Sequence, residues 1–390
     1  MRAFLKFIIP CLLLAALLSV AKYMDSGKYA RGTQKAPEAP TLLAAESVPE
    51  TTPPTEDVQT VPPETTLPVA VPDAETIPEE VPQEDNALVF TFLGDCTFGS
   101  TLTTYYADVG FIKTVGDDYG YPFRNVLSYL ESDDLTFLNL EGPLSDIDHP
   151  GIGDVLFRGP EAYVNILTQN SVEAVSLANN HIMDHSLVGY NATCAALDGA
   201  GVFYAETDKT SLISLDNGVT VGLYATVYTK DNLETLPSRI QSLKQQGADL
   251  IIYIPHWGVE GSYHITEEQR LLAHAAIDAG ANIVCGSHPH VLQPIEEYKD
   301  GIIFYSMANF SFGGSNDPKD MDTALIQQTL LRQEDGSFVL GDRLVVPCSV
   351  SSDAVYNNYQ PTPYAPGSAE YERVMQKLNG TFTGLSLRND

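Results

Sequence analysis

The 390-residue chain carries 21 Lys and Arg against 51 Asp and Glu, a formal net charge of −30. A field of that sign repels nucleic acid and anionic lipid, which excludes a nucleic-acid-binding role; a local site can still take an anion where metal ions supply the positive charge. The length suits one large domain or two small ones.

Arg2 and Lys6 precede an apolar run from Phe7 to Ala21, with Lys22 after it. Positive charge ahead of an apolar run is a signal layout that keeps the N-terminus on the cytoplasmic side. The run is short for a spanning helix, which takes about 20 apolar residues, but tilt or a thinned bilayer accommodates it. No small-x-small cleavage site follows at once, so residues 1–30 read as a signal anchor in preference to a cleaved signal peptide. Cys11 has no small residues just before it and reads as apolar filler, not as a lipidation site. Residues 31–86 are rich in Pro, Glu and Thr and contain no aromatic residue. Such a segment cannot bury a core and reads as a disordered spacer. The expected location is therefore the cell membrane, single-pass, with the folded part extracytoplasmic, or secreted if the signal is cleaved.

From Ala87 onward strands and helices alternate. Predicted strands are 87–94, 135–140, 172–178, 202–205, 250–254, 283–285 and 302–306; predicted helices are 121–132, 161–169, 187–197 and 232–246. Asn217-Gly218 joins strands 211–215 and 220–228 in a hairpin. The helix after Thr266 has the best-marked ends, with Thr266 and Gln269 forming a capping box and Gly280 ending it. Glu334-Asp335-Gly336 turns a second hairpin, 323–332 with 338–346. The alternation predicts an α/β fold with a mainly parallel core, helices outside and antiparallel strands at the end. The domain runs over 87–350, and residues 351–390, Tyr- and Pro-rich with an amphipathic piece at 369–378, read as an extension packing on it. Cys96, Cys194, Cys285 and Cys348 form no C-x-x-C pair, which argues against a thiolate zinc site.

Several apolar runs end in polar, ligand-type residues: Gly94-Asp95, Asn139-Leu140-Glu141, Asn179-Asn180-His181, His256-Trp257-Gly258 and Ser287-His288-Pro289-His290. Strand carboxyl ends line one edge of a parallel sheet, where ligands bind. Imidazole and carboxylate together suit Mn, Zn or Fe, and two such ions can clamp a phosphoryl group and activate water. Each residue alone has a plainer reading. A strand-end Asp is usually a turn former, and a buried His is usually structural; their accumulation at strand ends favours a site.

These residues resemble the CapA family, the poly-γ-glutamate capsule biosynthesis proteins of bacteria, across roughly Val89 to Gly313. The family pattern G-D-x-x-x-G, N-L-E-x-P-L, A-N-N-H-x-x-D, H-W-G-x-E, G-x-H-P-H-x-x-Q and Y-S-x-x-N-F is met at Gly94-Asp95 with Gly99, at Asn139-Leu140-Glu141 with Pro143-Leu144, and at Ala178-Asn179-Asn180-His181 with Asp184. It continues at His256-Trp257-Gly258 with Glu260, at Gly286, His288-Pro289-His290 and Gln293, and at Tyr305-Ser306 with Asn309-Phe310. The family is similar to calcineurin-like metallophosphoesterases, which implies a sandwich of two β-sheets flanked by helices. The resemblance implies Asp95, Glu141, Asn180, His256, His288 and His290 as ligands of one or two divalent metal ions. It implies His181 as the acid that protonates a leaving oxygen, with Asp184 orienting it, and Trp257, Glu260 and Asn309 as substrate contacts. Thr97 stands where many phosphoesterases carry a His, which leaves one metal under-supplied; His149 is an outside candidate to help. The implied partners are an anionic envelope polymer or its phosphorylated precursor, membrane synthase subunits, and the membrane through the N-terminal helix. A non-catalytic polymer-binding or assembly subunit of a synthase or export complex is the alternative to a hydrolase.

Overall fold

A computed structural model describes residues 86–387, apart from 102, 105, 106, 208, 230 and 231. The anchor expected over 1–30 and, but for Asn86, the spacer over 31–86 lie outside the described residues. Among the described residues no helix is long and apolar enough to cross a membrane.

Two sheets form the centre. In the larger, β1 (Ala87–Thr97), β3 (Leu135–Leu140), β5 (Ala174–Ser176) and β6 (Phe203–Ala205) run parallel. On the other flank of β1 follow β14 (Asp322–Arg332), β15 (Phe338–Ser349) and β16 (Thr362–Pro363), all antiparallel. The smaller sheet has β8 (Thr220–Val227), β9 (Leu250–His256), β10 (Ile283–Cys285) and β12 (Gly301–Phe304) in parallel, edged by antiparallel β7 (Ser211–Ser214) and β11 (Ile295–Tyr298). A two-stranded ribbon pairs β2 (Ser100–Thr101) with β4 (Phe157–Arg158).

Alternation along the strands explains the layers. Leu88, Phe90 and Phe92 of β1 and Leu135 and Phe137 of β3 share one buried cluster with Val221, Leu223, Leu250, Ile252 and Ile254 of the other sheet. The intervening residues face outward. Leu138, Leu140 and Val175 meet Ile166, Leu167 and Leu197 of the helices Val164–Thr168 and Ser186–Ala200. Ile251, Tyr253 and Val284 meet Leu236 and Ile240 of the helix Asn232–Gln245 and Leu272 and Ala276 of Glu267–Ala279. The result is helix, sheet, sheet, helix, the flanked two-sheet sandwich that the motifs imply. Each buried aliphatic or aromatic side chain contributes about 1.5–3 kcal/mol. A one-residue slip of β9 would exchange its inner and outer sets, so the register is tightly held.

The capping box forms as expected: Thr266 Oγ1 accepts from Gln269 N–H, Gln269 Oε1 accepts from Thr266 N–H, and Gly280 ends the helix in the left-handed region. Both hairpins are present. The continuous helix expected over 121–132 is instead a 3₁₀ turn, Tyr121–Phe123, and a one-turn helix, Leu127–Leu130. Gln360 Nε2 donates to the Tyr121 carbonyl at 2.9 Å, and Val126 leaves helical geometry at φ −127°. A side chain from the C-terminal stretch thus competes for the acceptor that would continue the helix.

That stretch also docks through charge. The helix Ala369–Leu378 buries Val374 and Leu378 against the inter-sheet cluster. Lys377 is only 3% exposed, and its Nζ lies 2.7 Å from both Asp320 Oδ2 and Asp322 Oδ2. Arg373 makes a two-pronged contact with the Asp322 carboxylate, both distances 2.7 Å.

Candidate metal centre

The inner-face parity of β3 that begins with Leu135 and Phe137 runs on to Asn139 and Glu141. In β9 the parity of Ile252 and Ile254 runs on to His256. The carboxyl ends of both sheets thereby send polar side chains into the seam where the apolar core stops. β1 needs a further device, because its inner residues are Leu88, Phe90 and Phe92 and simple alternation would turn Asp95 outward. The pairing with β3 shifts register between Phe92 and Asp95. After the shift Cys96 and Phe98 join the outer cluster, so the irregularity reverses the alternation and turns Asp95 inward. At the same point β1 gains a new parallel neighbour, β13 (Asn309–Phe312), which places Asp95 between Asn139 and Asn309.

Gly94 makes the crossing feasible. A Cβ there would sit 2.1 Å from the Ala308 carbonyl oxygen and 2.6 Å from that of Met307, and Asp95 N–H donates to the same Ala308 oxygen at 2.7 Å. Gly94→Ala is expected to lose about 1–3 kcal/mol of stability, the usual range for forced overpacking. Urea unfolding of the variant measures it; an unchanged midpoint would mean that β13 can move away freely.

The structure brings Asp95, Glu141, Asn180, His256, His288 and His290 together. His290 Nδ1 is 3.3 Å from Asp95 Oδ2, and its Nε2 is 3.8 Å from Glu141 Oε1. His256 Nε2 is 3.9 Å from the same Glu141 oxygen and 2.6 Å from Asn180 Oδ1. The His256 and His288 rings lie 4.6 Å apart. His288 N–H donates to Asp95 Oδ2 at 3.2 Å. His288 and His290 both have positive φ, 96° and 57°, an unfavourable conformation for residues with a Cβ and one that clusters at functional sites.

Second-layer amides fix the ligand-type groups. Asn139 Nδ2 donates to Asp95 Oδ1 at 2.8 Å, Asn179 Nδ2 donates to Asn139 Oδ1 and Leu140 O, and Asn179 Oδ1 accepts from His181 N–H. Ser287 Oγ meets His256 Nδ1 at 2.9 Å, and Asn309 Oδ1 meets His290 Nδ1 at 2.9 Å. Asn179 and Ser287 stand in the polar runs read from the sequence, which assigned a role to their neighbours but none to them.

Glu141 decides what this cluster can do. The residue is fully buried, and both carboxylate oxygens lack a hydrogen-bond partner. Burial raises its pKa, Asp95 adds to the rise, and His290 and His181 oppose it. Buried His288 Nδ1 is likewise without a partner. Burying a carboxylate whose oxygens accept no hydrogen bond costs several kcal/mol, which a coordinated cation removes. Asp95, Glu141 and His290 offer ligand atoms within 4.8 Å of one another, as do Glu260, His288 and His290. The donor set fits a divalent transition ion.

His181 stands apart from these groups. Its Nδ1 is 2.8 Å from Asp184 Oδ2, which also accepts from Phe157 N–H at 2.7 Å, and the Phe157 ring lies 4.2 Å from the imidazole. Burial works against a charged imidazole, but the Asp184 hydrogen bond and the charges of Glu141 and Asp184 raise its pKa above the ordinary value. His256 is shifted the other way, well below the ordinary value, by burial and by His288 and His290.

Other residues fall elsewhere. Trp257 does not reach the pocket: it is buried in the outer cluster beneath the helices, stacked on Tyr305 at 6.0 Å. Strand parity accounts for this, since Trp257 continues the outward series Ile251 and Tyr253. Asn309 reaches the site through His290, and Glu260 lies on the loop beside His288 and His290. Thr97 is buried with an unpartnered hydroxyl. His149 is exposed, contacts Ser186 Oγ at 3.0 Å, and belongs to none of the ligand groups found among the described residues.

The profile of the bacterial capsule synthesis protein PGA_cap matches residues 89–314. The capsule biosynthesis protein CapA of Bacillus anthracis is 30% identical over 298 residues, 69% of either chain. The PGA biosynthesis protein CapA of Bacillus subtilis is 30% identical over 279 residues, 65% of this chain and 70% of that one. The chain belongs to the bacterial capsule synthesis protein family. Among solved structures, the NAD nucleotidase of Haemophilus influenzae aligns with a TM-score of 0.39 at 12% identity, covering 75% of this chain and 62% of that one. The 5'-nucleotidase of Candida albicans gives 0.40 at 14%, covering 76% and 57%.

Three of this family member's motifs interlock physically. Trp257 Nε1 donates to the Tyr305 carbonyl at 2.8 Å, and the bond passes over Gly286, where a Cβ would lie 2.2 Å from that carbonyl oxygen and 2.4 Å from Nε1. The tryptophan of one motif, the glycine of the next and the tyrosine of the last thus pin the ends of β9, β10 and β12 at a common level. The two strand ends that lead to His256 and to the His-Pro-His turn are held there.

Proposed function

We propose that this protein is a membrane-tethered, extracytoplasmic member of its family acting in capsule biosynthesis, of the poly-γ-glutamate type, or in assembly of another envelope polymer. In this reading the seam between the sheets is a hydrolase-type site holding one or two divalent transition ions. The names of the Bacillus relatives support the pathway. The observation that carries the site is the Glu141 carboxylate, fully buried among imidazoles without a hydrogen-bond partner.

Asp95, Glu141, Asn180, His256, His288 and His290 would hold the ions. When bound, they supply positive charge that polarises a reacting oxygen and lowers the pKa of water. The protein's own groups do the rest. Asn139 and Asn309 fix Asp95 and His290, and Asp184 fixes the orientation of His181. With Nδ1 engaged by Asp184, His181 keeps Nε2 to give a proton to a leaving oxygen. The substrate is an anionic envelope polymer or its phosphorylated precursor, admitted to an acidic protein by the local positive charge of the site.

The test is thermal unfolding of the wild type and Glu141→Gln with and without Mn²⁺ or Zn²⁺. Saturation at 100 times Kd is expected to stabilise the wild type by about 2.7 kcal/mol. Glu141→Gln is expected to gain almost nothing from metal, and in chelator to be more stable than the wild type because the buried charge is gone. Equal metal stabilisation of both proteins would remove Glu141 from the ligand set and this reading with it.

A further inference from the structure

The family profile ends at residue 314, yet the chain returns to the candidate site well beyond it. After the helix Ala369–Leu378 the chain packs Phe382 edge-on to Tyr263, ring centres 4.9 Å apart. The buried ammonium of Lys377 lies 4.9 Å from the Tyr263 ring and 5.2 Å from that of Phe382, and Tyr263 OH donates to Asp320 Oδ2. Further on, Leu387 N–H donates to the Gly261 carbonyl at 2.9 Å. Gly261 N–H in turn donates to the Pro289 carbonyl at 2.7 Å, inside the His-Pro-His turn. Between these contacts sits Glu260, whose carboxylate groups with the ring nitrogens of His288 and His290. A cleft of about 330 Å³ beside the centre is lined by Glu260, His290, Asn309, Phe312, Lys319 and Leu387.

We propose that residues 379–387 are a strap that holds the loop 258–263 against Pro289, sets Glu260 beside His288 and His290, and walls one side of the cleft. The tail is a positioning element, since it reaches the ligand-type groups only through the loop. A cation–aromatic cluster of Lys377, Tyr263 and Phe382 anchors it in the middle, and one backbone bond at Gly261 fastens its end. The metal half of the proposal rests on the reading of the site given above; the mechanical half does not.

The experiment compares the full chain with a version ending at Gly380 and with Phe382→Ala, which keeps the fold testable if the shortened chain is unstable. Hydrogen exchange of the metal-free proteins reads the strap directly. Peptides covering 258–264 are expected to exchange faster in both variants, while the helix Glu267–Ala279 keeps its protection. Calorimetric titration with Mn²⁺ reads Glu260: affinity is expected to fall about 10-fold or more, the size of effect seen when supporting partners of a metal site are lost. Glu260→Gln should give a comparable loss, and the shortened chain in that background should lose little more, as for two changes acting through one contact. Unchanged exchange over 258–264, or unchanged Mn²⁺ affinity in the shortened chain, overturns the proposal. A full chain that takes up no Mn²⁺ overturns the metal reading instead, and the strap is then decided by exchange alone.

Discussion

His181→Ala is expected to slow hydrolysis of a phosphodiester with a poor, high-pKa leaving group by about 10²–10⁴-fold, the usual contribution of general acid catalysis. Metal content, measured on the purified protein, should stay nearly unchanged, because His181 is bonded to Asp184 and lies outside the ligand groups. A good leaving group needs little protonation, so its rate should fall much less. His288→Ala has the opposite signature: metal is lost, and activity toward both substrates falls together. Equal metal loss in the two variants would make His181 a ligand or a structural residue. A metal-loaded parent with no activity would remove the hydrolase and leave the polymer-binding subunit.

Asp322→Ala is expected to lower the free energy of unfolding by about 3–5 kcal/mol, the cost of breaking a buried ion pair and stranding its partner. The stranded group is Lys377, almost fully buried and left with Asp320 alone, while Arg373 loses both of its contacts. Burial would raise the Asp322 carboxyl, but Arg373 and Lys377 outweigh it and hold it below its ordinary 3.8. A lowered folded-state value means that this contribution is fully present above the unfolded value and is lost as pH falls through the folded one. Urea titrations should therefore show the gap between wild type and variant narrowing only below about pH 4. A gap under about 1 kcal/mol at neutral pH would mean that the apolar contacts of Val374 and Leu378 hold the helix by themselves, and one that persists unchanged in acid would mean that Asp322 acts through packing and not through its charge.

The regular elements were legible where local chemistry decides them. The Thr266–Gln269 box and the turn glycines at 218, 280 and 336 specify ends that need no tertiary information. The helix expected over 121–132 failed because its competitor, Gln360, lies far along the chain. Strand β13 escaped notice because it is only four residues long and its Asn309 and Ser311 are buried as fully as its two phenylalanines, so no exposed face marks it. In the candidate site, strand parity does more than motif position. Counting from Phe137 places Glu141 inward, and counting from Tyr253 sends Trp257 outward, so Trp257 could have been set aside from sequence alone. The same count fails at Asp95, since the irregularity beside Gly94 leaves no trace in residue pattern beyond the glycine itself.

The pairing of β1 has a consequence for the order in which the chain matures. Its first half is zipped to β14, Ala87 opposite Leu331, and its second half to β13, Asp95 opposite Asn309. A nascent chain emerges from its N-terminal end, and long-range strand pairing is slow because loop closure precedes any gain. Asp95 finds Asn139 of β3 early, but it waits for β13, its second flanking strand, until most of the domain has been synthesised. Binding competence should appear all at once and late in biogenesis, with no half-built intermediate able to capture a cation on the way.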